Sequence, residues 1–212
     1  MHSGVPPAGE HGGRPVSQDE RSRWDHRYAS GQYVPRTRPT PFLLEWLDHI
    51  PVGRALDVAT GTGRNALALA EAGYEVDAVD ISPVAINRAR AEARRRGLAV
   101  NWVVADLEAD SLPGDGYDLI TVLRYRDPDL WPRLTWALAP DGWVLIEHHL
   151  QTHRTDVAGP SRDAFRLAPG ELLTAFGTLR IVHYSERVEP ADDGETRFVI
   201  ARLVACAGDP GW

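Results

Sequence analysis

The chain of 212 residues contains no lysine, so all 23 of its basic residues are arginine. Three chemistries drop out in their usual form. A P-loop needs its lysine on the terminal phosphates, a pyridoxal-phosphate enzyme needs one for the Schiff base, and a short-chain dehydrogenase needs a Tyr-x-x-x-Lys pair. Cysteine is almost as scarce: Cys206 stands alone, which excludes an internal disulfide and a cysteine cage for a metal, and predicts a free buried thiol on a late strand. No apolar run approaches the roughly 20 residues that cross a bilayer, and the N-terminus lacks the charged-then-apolar order of a secretion signal. The expectation is a cytoplasmic protein with no membrane partner. Basic charge is short too: at a formal −7 the surface offers phosphate backbones no general attraction, so small molecules rather than nucleic acids are the expected partners.

The length suits one domain with a short appendage. Residues 1–18 are rich in Pro, Gly and Ser and cannot bury enough apolar surface to offset the entropy of ordering, so a disordered tail is expected. Residues 19–52 carry an aromatic and arginine-rich texture that runs into Phe42, Leu43, Trp46 and Leu47, one face of a helix; this segment reads as an N-terminal lid or cap. Residues 53–207 form the main domain. Strands are expected at Ala55–Ala59, Glu75–Val79, Val100–Ala105, Tyr117–Leu123 and Trp143–Glu147, and helices at Arg64–Ala72, Pro83–Arg96 and Leu130–Leu138. Ser82 starts the second of these helices and Gly97 stops it. This alternation predicts a parallel sheet covered on both faces. A helix near Pro169–Phe176 then precedes two strands, Leu179–Ser185 and Arg197–Val204, which read as an antiparallel hairpin across the turn-rich Pro190–Gly194.

The chemistry is concentrated at the strand ends. Gly61 and Gly63 let a backbone turn pass close beneath a ligand, and the helix that follows points its amides there. The run Gly61 to Ala66 also satisfies the Gly-x-Gly-x-x-Gly/Ala dinucleotide fingerprint, so a nicotinamide or flavin enzyme is one reading. Asp57, just upstream, would repel a pyrophosphate and attract a ligand bearing an ammonium and a sulfonium. Asp80 ends the next strand with the reach for two ribose hydroxyls, and Asp106 ends the third, where an adenine amino group would lie. Each aspartate taken singly is also a common cap for the element after its strand. All three, at successive strand ends, describe S-adenosylmethionine.

On these residues the chain resembles class I S-adenosylmethionine-dependent methyltransferases. LDVATGTGRNALALAEAGYEVDAVDIS and VVADLE are similar to their first three motifs, and YDLITVLRYRDPDLWPRLTWALAPDGWVLIEHH to the fourth and fifth. GTGRN, AGYEVDAVDIS, RDAFRLAPGELLTAFG and HYSE are similar to the tellurite-resistance type, which acts on small or inorganic acceptors. Ala59 replaces the glycine that usually opens the loop, as in quinone-biosynthesis methyltransferases. The resemblance implies a Rossmann-like α/β fold: a seven-stranded, mostly parallel sheet with helices on both faces and a C-terminal antiparallel hairpin. It further implies S-adenosyl-L-methionine contacts at Asp57, Ala59, Gly61, Gly63, Asn65, Asp80, Ile81, Asp106, Leu107 and Leu123. The Asp/Asn-Pro-Pro-Tyr signature of amine methylation is absent after Leu123, where Arg124, Tyr125 and Arg126 stand.

Methyl transfer from a sulfonium needs alignment more than acid or base groups. Should the acceptor lose a proton, Tyr125, His148 and His149 are the candidates. Arg124, Arg126 and Arg162 suit an anionic acceptor, although each taken singly is better explained by a surface pair with Asp127, Asp129 or Asp163. Trp24 and Tyr28, four apart, could close over it from the lid or anchor their own helix. No metal is expected at His148, His149 and His153, because adjacent strand positions face opposite ways. Arg88, Arg90, Arg94, Arg95 and Arg96 read as a solvated helix face. A pocket that binds the cofactor without transferring a methyl is the alternative to an enzyme, and an NAD(P)-dependent oxidoreductase is a third reading.

Overall fold

The computed structural model describes residues 17–191 and 194–211. Seven strands form one sheet: β1 Arg54–Val58, β2 Glu75–Asp80, β3 Asn101–Val104, β4 Tyr117–Leu123, β5 Leu138–His149, β6 Arg180–Pro190 and β7 Arg197–Cys206. Their order is β3-β2-β1-β4-β5-β7-β6. The first five are parallel, and β7 runs antiparallel to both β5 and β6. The expected fold, including the reversed hairpin, is the one observed. Because the order reverses direction at β1 and β4, a crevice opens beyond their carboxyl ends.

The helices are α1 Ser17–Ala29, α2 Pro41–Leu47, α3 Arg64–Glu71, α4 Pro83–Arg96, α5 Trp131–Ala137 and α6 Glu171–Ala175. Alternate strand residues feed two cores, as expected for a sheet buried on both faces. Ala55, Val76, Leu119 and Leu145 pack with α2, α3 and α4 on one side. Leu56, Val79, Ile120 and Ile146 pack with α5 and α6 on the other. Ser82 caps α4 by accepting the amide of Ala85 at 3.2 Å, and Gly97 ends it with φ +70°. Cys206 is a buried free thiol at the end of β7.

Most of the segment expected to be a tail, residues 1–16, lies outside the described residues. Ser17 and Gln18 open α1 instead, so the N-terminal segment holds two helices where one was expected. Asp25 of α1 accepts the Ser82 hydroxyl at 2.5 Å, which ties α1 to the start of α4. Strand β5 is longer than expected at its N-terminal end. Pro140-Asp141-Gly142 reads as a turn, yet it crosses a bulge in the β4 pairing, where a Cβ at Gly142 would lie 2.5 Å from the Tyr117 carbonyl. Among the described residues no helix is long and apolar enough to cross a membrane.

Candidate functional site

A cavity of about 410 Å³ lies at the carboxyl ends of β1 to β5, walled by the turn after β1, by Asp80 and Ile81, by Asp106 to Glu108, by Leu123 to Tyr125 and by His148 and His149. Trp24, Tyr28 and Tyr33 cover it from the N-terminal segment, with ring centroids 5.4 to 6.0 Å apart. Such contacts between aromatic edges and faces make a firm apolar roof.

The turn between β1 and α3 has three residues in the left-handed region: Ala59 at φ 52°, Gly61 at 57° and Gly63 at 82°. Ala59 therefore keeps a backbone that favours glycine, at the cost of some strain. Gly61 faces the cavity, where a Cβ would come 2.9 Å from the Tyr28 hydroxyl oxygen. Gly63 does not line the cavity. A Cβ there would lie 2.5 Å from Cη2 of Trp102 and 2.9 Å from Cβ of Ala89, so this glycine serves the packing of α3 on α4. Asn65 lines the cavity while its Oδ1 accepts the amide of Thr40 at 2.9 Å, joining α3 to the N-terminal segment.

The three aspartates divide. Asp57 is buried beneath the turn and outside the cavity wall, where it accepts the hydroxyls of Thr60 at 2.5 Å and Thr121 at 2.7 Å and the amide of Ala66. These bonds occupy Asp57 within the chain, where it holds the turn and the first turn of α3 from beneath. Asp80 lines the cavity and accepts the amides of Gly61 at 2.7 Å and Ser82 at 2.9 Å. Burial pushes its carboxyl up to about 6, and the charges of Asp57 and Asp25 add to the effect. Asp106 also lines the cavity. Its Oδ1 accepts the amide of Glu108 at 3.1 Å, whereas its Oδ2 is buried without a partner. A buried acceptor left open calls for a donor from a ligand. Ile81, Leu107 and Leu123 complete the apolar wall.

At the β4 and β5 ends, Arg124 adopts φ 75°, held there as its amide donates to the Glu147 carbonyl at 2.8 Å and its Nη2 pairs with Glu147 Oε1 at 2.9 Å. Glu147 also pairs with Arg202 at 2.7 Å. Both histidines border the cavity, their ring centroids 5.7 Å apart. Adjacent on β5, they keep different partners, His148 at Phe165 and His149 at Arg124 and Phe198. His149 Nε2 accepts Arg124 Nη1 at 3.1 Å, which leaves the proton on Nδ1. His148 Nε2 donates to the Phe165 carbonyl at 2.9 Å, so its lone pair is on Nδ1, buried without a partner. Burial and nearby arginines push His148 down to about 4 and His149 to about 3, so both rings are neutral at pH 7. Burial raises the Tyr125 phenol well above its ordinary value, leaving it protonated.

Two expected anion contacts are absent from the cavity wall. Arg126 is taken up by Glu171 at 2.8 Å and the Ala164 carbonyl at 3.1 Å, and Arg162 is an exposed residue at the start of a short 3₁₀ turn. Arg36 and Arg64 line the cavity in their stead. Arg64 had a sequence signal, its place directly after Gly63 in the first turn of α3. Arg36 had none beyond the arginine-rich texture of its segment.

A doubly wound sheet of this order, with a reversed last hairpin and carboxylates at the second and third strand ends, defines the class I S-adenosylmethionine-dependent methyltransferase architecture. Residues 55–142 of the chain match the family described as a methyltransferase domain. Over 135 residues it is 33% identical to a ribosomal protein L11 methyltransferase of Thermus thermophilus, covering 60% of this chain and 53% of that protein. The chain spans about half the length of the first curated relatives it matches. Its fold is similar to TehB from Haemophilus influenzae, with TM-score 0.70, 22% identity and coverage of 86% of this chain and 66% of that one. It is similar as well to a 1,6-didemethyltoxoflavin-N1-methyltransferase from Burkholderia thailandensis, at TM-score 0.66, 22% identity and coverage of 98% and 94%.

Proposed function

We propose that this protein transfers a methyl group from S-adenosyl-L-methionine to a small-molecule acceptor. The observation that carries the reading is Asp106 Oδ2, a buried acceptor without a partner on the cavity wall, at the strand end beside Asp80. An adenine amino group supplies the donor that this oxygen lacks, and the ribose hydroxyls fall to the free lone pairs of Asp80. Ala59, Gly61, Asn65, Ile81, Leu107 and Leu123 form the remaining cofactor wall. Asp57 and Gly63 act from beneath by fixing the turn. Bound in this cleft, the cofactor supplies a methyl already activated by the positive sulfur. The chain's own task is alignment, which can contribute roughly 7 to 11 kcal/mol when the reacting atoms are held in line.

Residues 19–52 act as a lid on the domain of residues 53–207: Tyr28 and Trp24 seat the roof over the Gly61 turn. His148, with an open lone pair at the acceptor end, favours an enzyme over a binding module that transfers nothing. The oxidoreductase reading loses ground to the strand order and to Asp106, rather than to Asp57. The buried reduced thiol of Cys206 agrees with a cytoplasmic setting. The experiment is calorimetry with S-adenosylhomocysteine and NAD, followed by turnover of labelled cofactor against a metabolite panel. Binding of the first ligand and not the second supports the reading, and the reverse overturns it.

A further inference from the structure

The acceptor's chemistry can be read from the polar groups at the β4 and β5 ends, given the function proposed above. Three guanidinium groups line that end: Arg36 from the segment after α1, Arg64 from α3 and Arg124 after β4. Arg36 and Arg124 flank one ring, Phe198, at 5.5 and 5.4 Å from its centroid. Arg64 donates to the Arg38 carbonyl at 3.0 Å. Among the described residues neither Arg36 nor Arg64 has a carboxylate within ion-pair distance, and Arg124 shares Glu147 with Arg202. Burial and the charge of Arg36 both weaken proton binding at Arg64 and Arg124, the mark of like charges gathered without enough counter-charge. Of the acidic wall residues, Asp80, Asp106 and Glu108 stand at the other strand ends, those of β2 and β3, and Glu20 of α1 pairs with Arg23.

Three orphaned groups sharpen the picture. Arg124 Nε and His149 Nδ1 are buried donors with no partner, and His148 Nδ1 is a buried acceptor with none, on a residue 4% exposed. One guanidinium can meet the carboxylate of the cofactor itself, which leaves a surplus. We infer that the acceptor is a hydroxyl-bearing organic carboxylate, its carboxylate held among Arg36, Arg64 and Arg124 and its hydroxyl turned toward His148 Nδ1. Trp24, Tyr33 and Tyr125 offer walls for a planar body, which a bare inorganic oxyanion would leave unused. The acceptor oxygen bonds to the methyl carbon, the carbon–sulfur bond breaks with its electron pair staying on sulfur, and the hydroxyl proton passes to Nδ1. Glu147 is a positioning residue: it holds Arg124 by backbone and side chain alike.

The test uses the full chain saturated with S-adenosylhomocysteine, titrated with 2-, 3- and 4-hydroxybenzoate, with the methyl ester of each, and with selenite. At least one acid binds about tenfold or more tightly than its ester, the size expected for a charge-assisted contact, and Arg36→Gln and Arg124→Gln abolish that preference. His148→Gln leaves acid binding within about threefold but cuts methyl transfer roughly a hundredfold, with recovery as pH rises and the acceptor ionises unaided. Esters that bind as well as acids, selenite binding with no acid binding, or full transfer in His148→Gln each overturn the inference. Failure of S-adenosylhomocysteine to bind overturns the preceding reading instead, so the two failures are distinct.

Discussion

The carboxylate of Asp80 accepts the amide of Gly61 at 2.7 Å and that of Ser82 at 2.9 Å, so one buried side chain ties the β1 turn to the start of α4. Its carboxyl is pushed up to about 6, which makes ligand affinity depend on pH. Below that value the group is neutral, and the oxygen carrying the proton becomes a donor where two amides and two ribose hydroxyls require acceptors. S-adenosylhomocysteine affinity should therefore rise with pH up to about 6 and level off above it, with a slope near tenfold per unit on the acid side. Calorimetry between pH 5 and 8 measures this. Stability moves oppositely: a carboxyl raised in the folded state favours folding most below its unfolded value, and that contribution is lost as pH rises toward 6.

Asp57 and Asp106 should separate in a stability and binding comparison. Asp57→Ala leaves the Thr60 hydroxyl and the Ala66 amide unpaired and Thr121 with only the Leu56 carbonyl at 3.4 Å, and should cost about 2 to 4 kcal/mol of stability in urea unfolding. Asp106→Asn loses little stability, but should weaken S-adenosylhomocysteine about tenfold or more, since its open oxygen is the one offered to the ligand.

The two turn glycines should also differ. Gly63→Ala drives a methyl into Trp102 and Ala89 from a left-handed backbone and should cost about 2 to 4 kcal/mol. Gly61→Ala meets only the Tyr28 hydroxyl, so a smaller loss of about 1 kcal/mol should accompany a clear loss of ligand affinity as the roof is displaced. Thermal unfolding with and without S-adenosylhomocysteine reads both effects.

Glu147 is 1% exposed and faces Arg124 and Arg202 together. Glu147→Leu strands the buried cation of Arg124 and leaves Arg202 with Glu189 alone, and should cost about 3 to 5 kcal/mol, seen as a lower urea midpoint. A loss below about 1 kcal/mol would show that the guanidinium groups find other partners.

Local signals made much of the fold legible. Helix α4 is bounded by a serine cap and a glycine stop, and its observed limits are those expected. Tyr117–Leu123 is a mostly apolar stretch, broken only by Asp118 and Thr121, that a strand buried on both faces explains. Helix α1 was not legible, because its polar sequence offers only Trp24 and Tyr28 as an apolar pair, and its place is set by contacts such as Asp25 with Ser82. The β2 and β3 side of the cavity followed from the carboxylates of Asp80 and Asp106 at strand ends. The acceptor end did not, since which arginine reaches it depends on neighbours remote in sequence: Glu171 withdraws Arg126, whereas Arg36 arrives from the N-terminal segment.

The most direct test is titration of the full chain with S-adenosylhomocysteine beside the Asp80→Ala and Asp106→Asn variants. One site per chain, weakened in both variants and indifferent to NAD, is the predicted result. A chain with no measurable affinity, or with affinity that neither substitution changes, would contradict it.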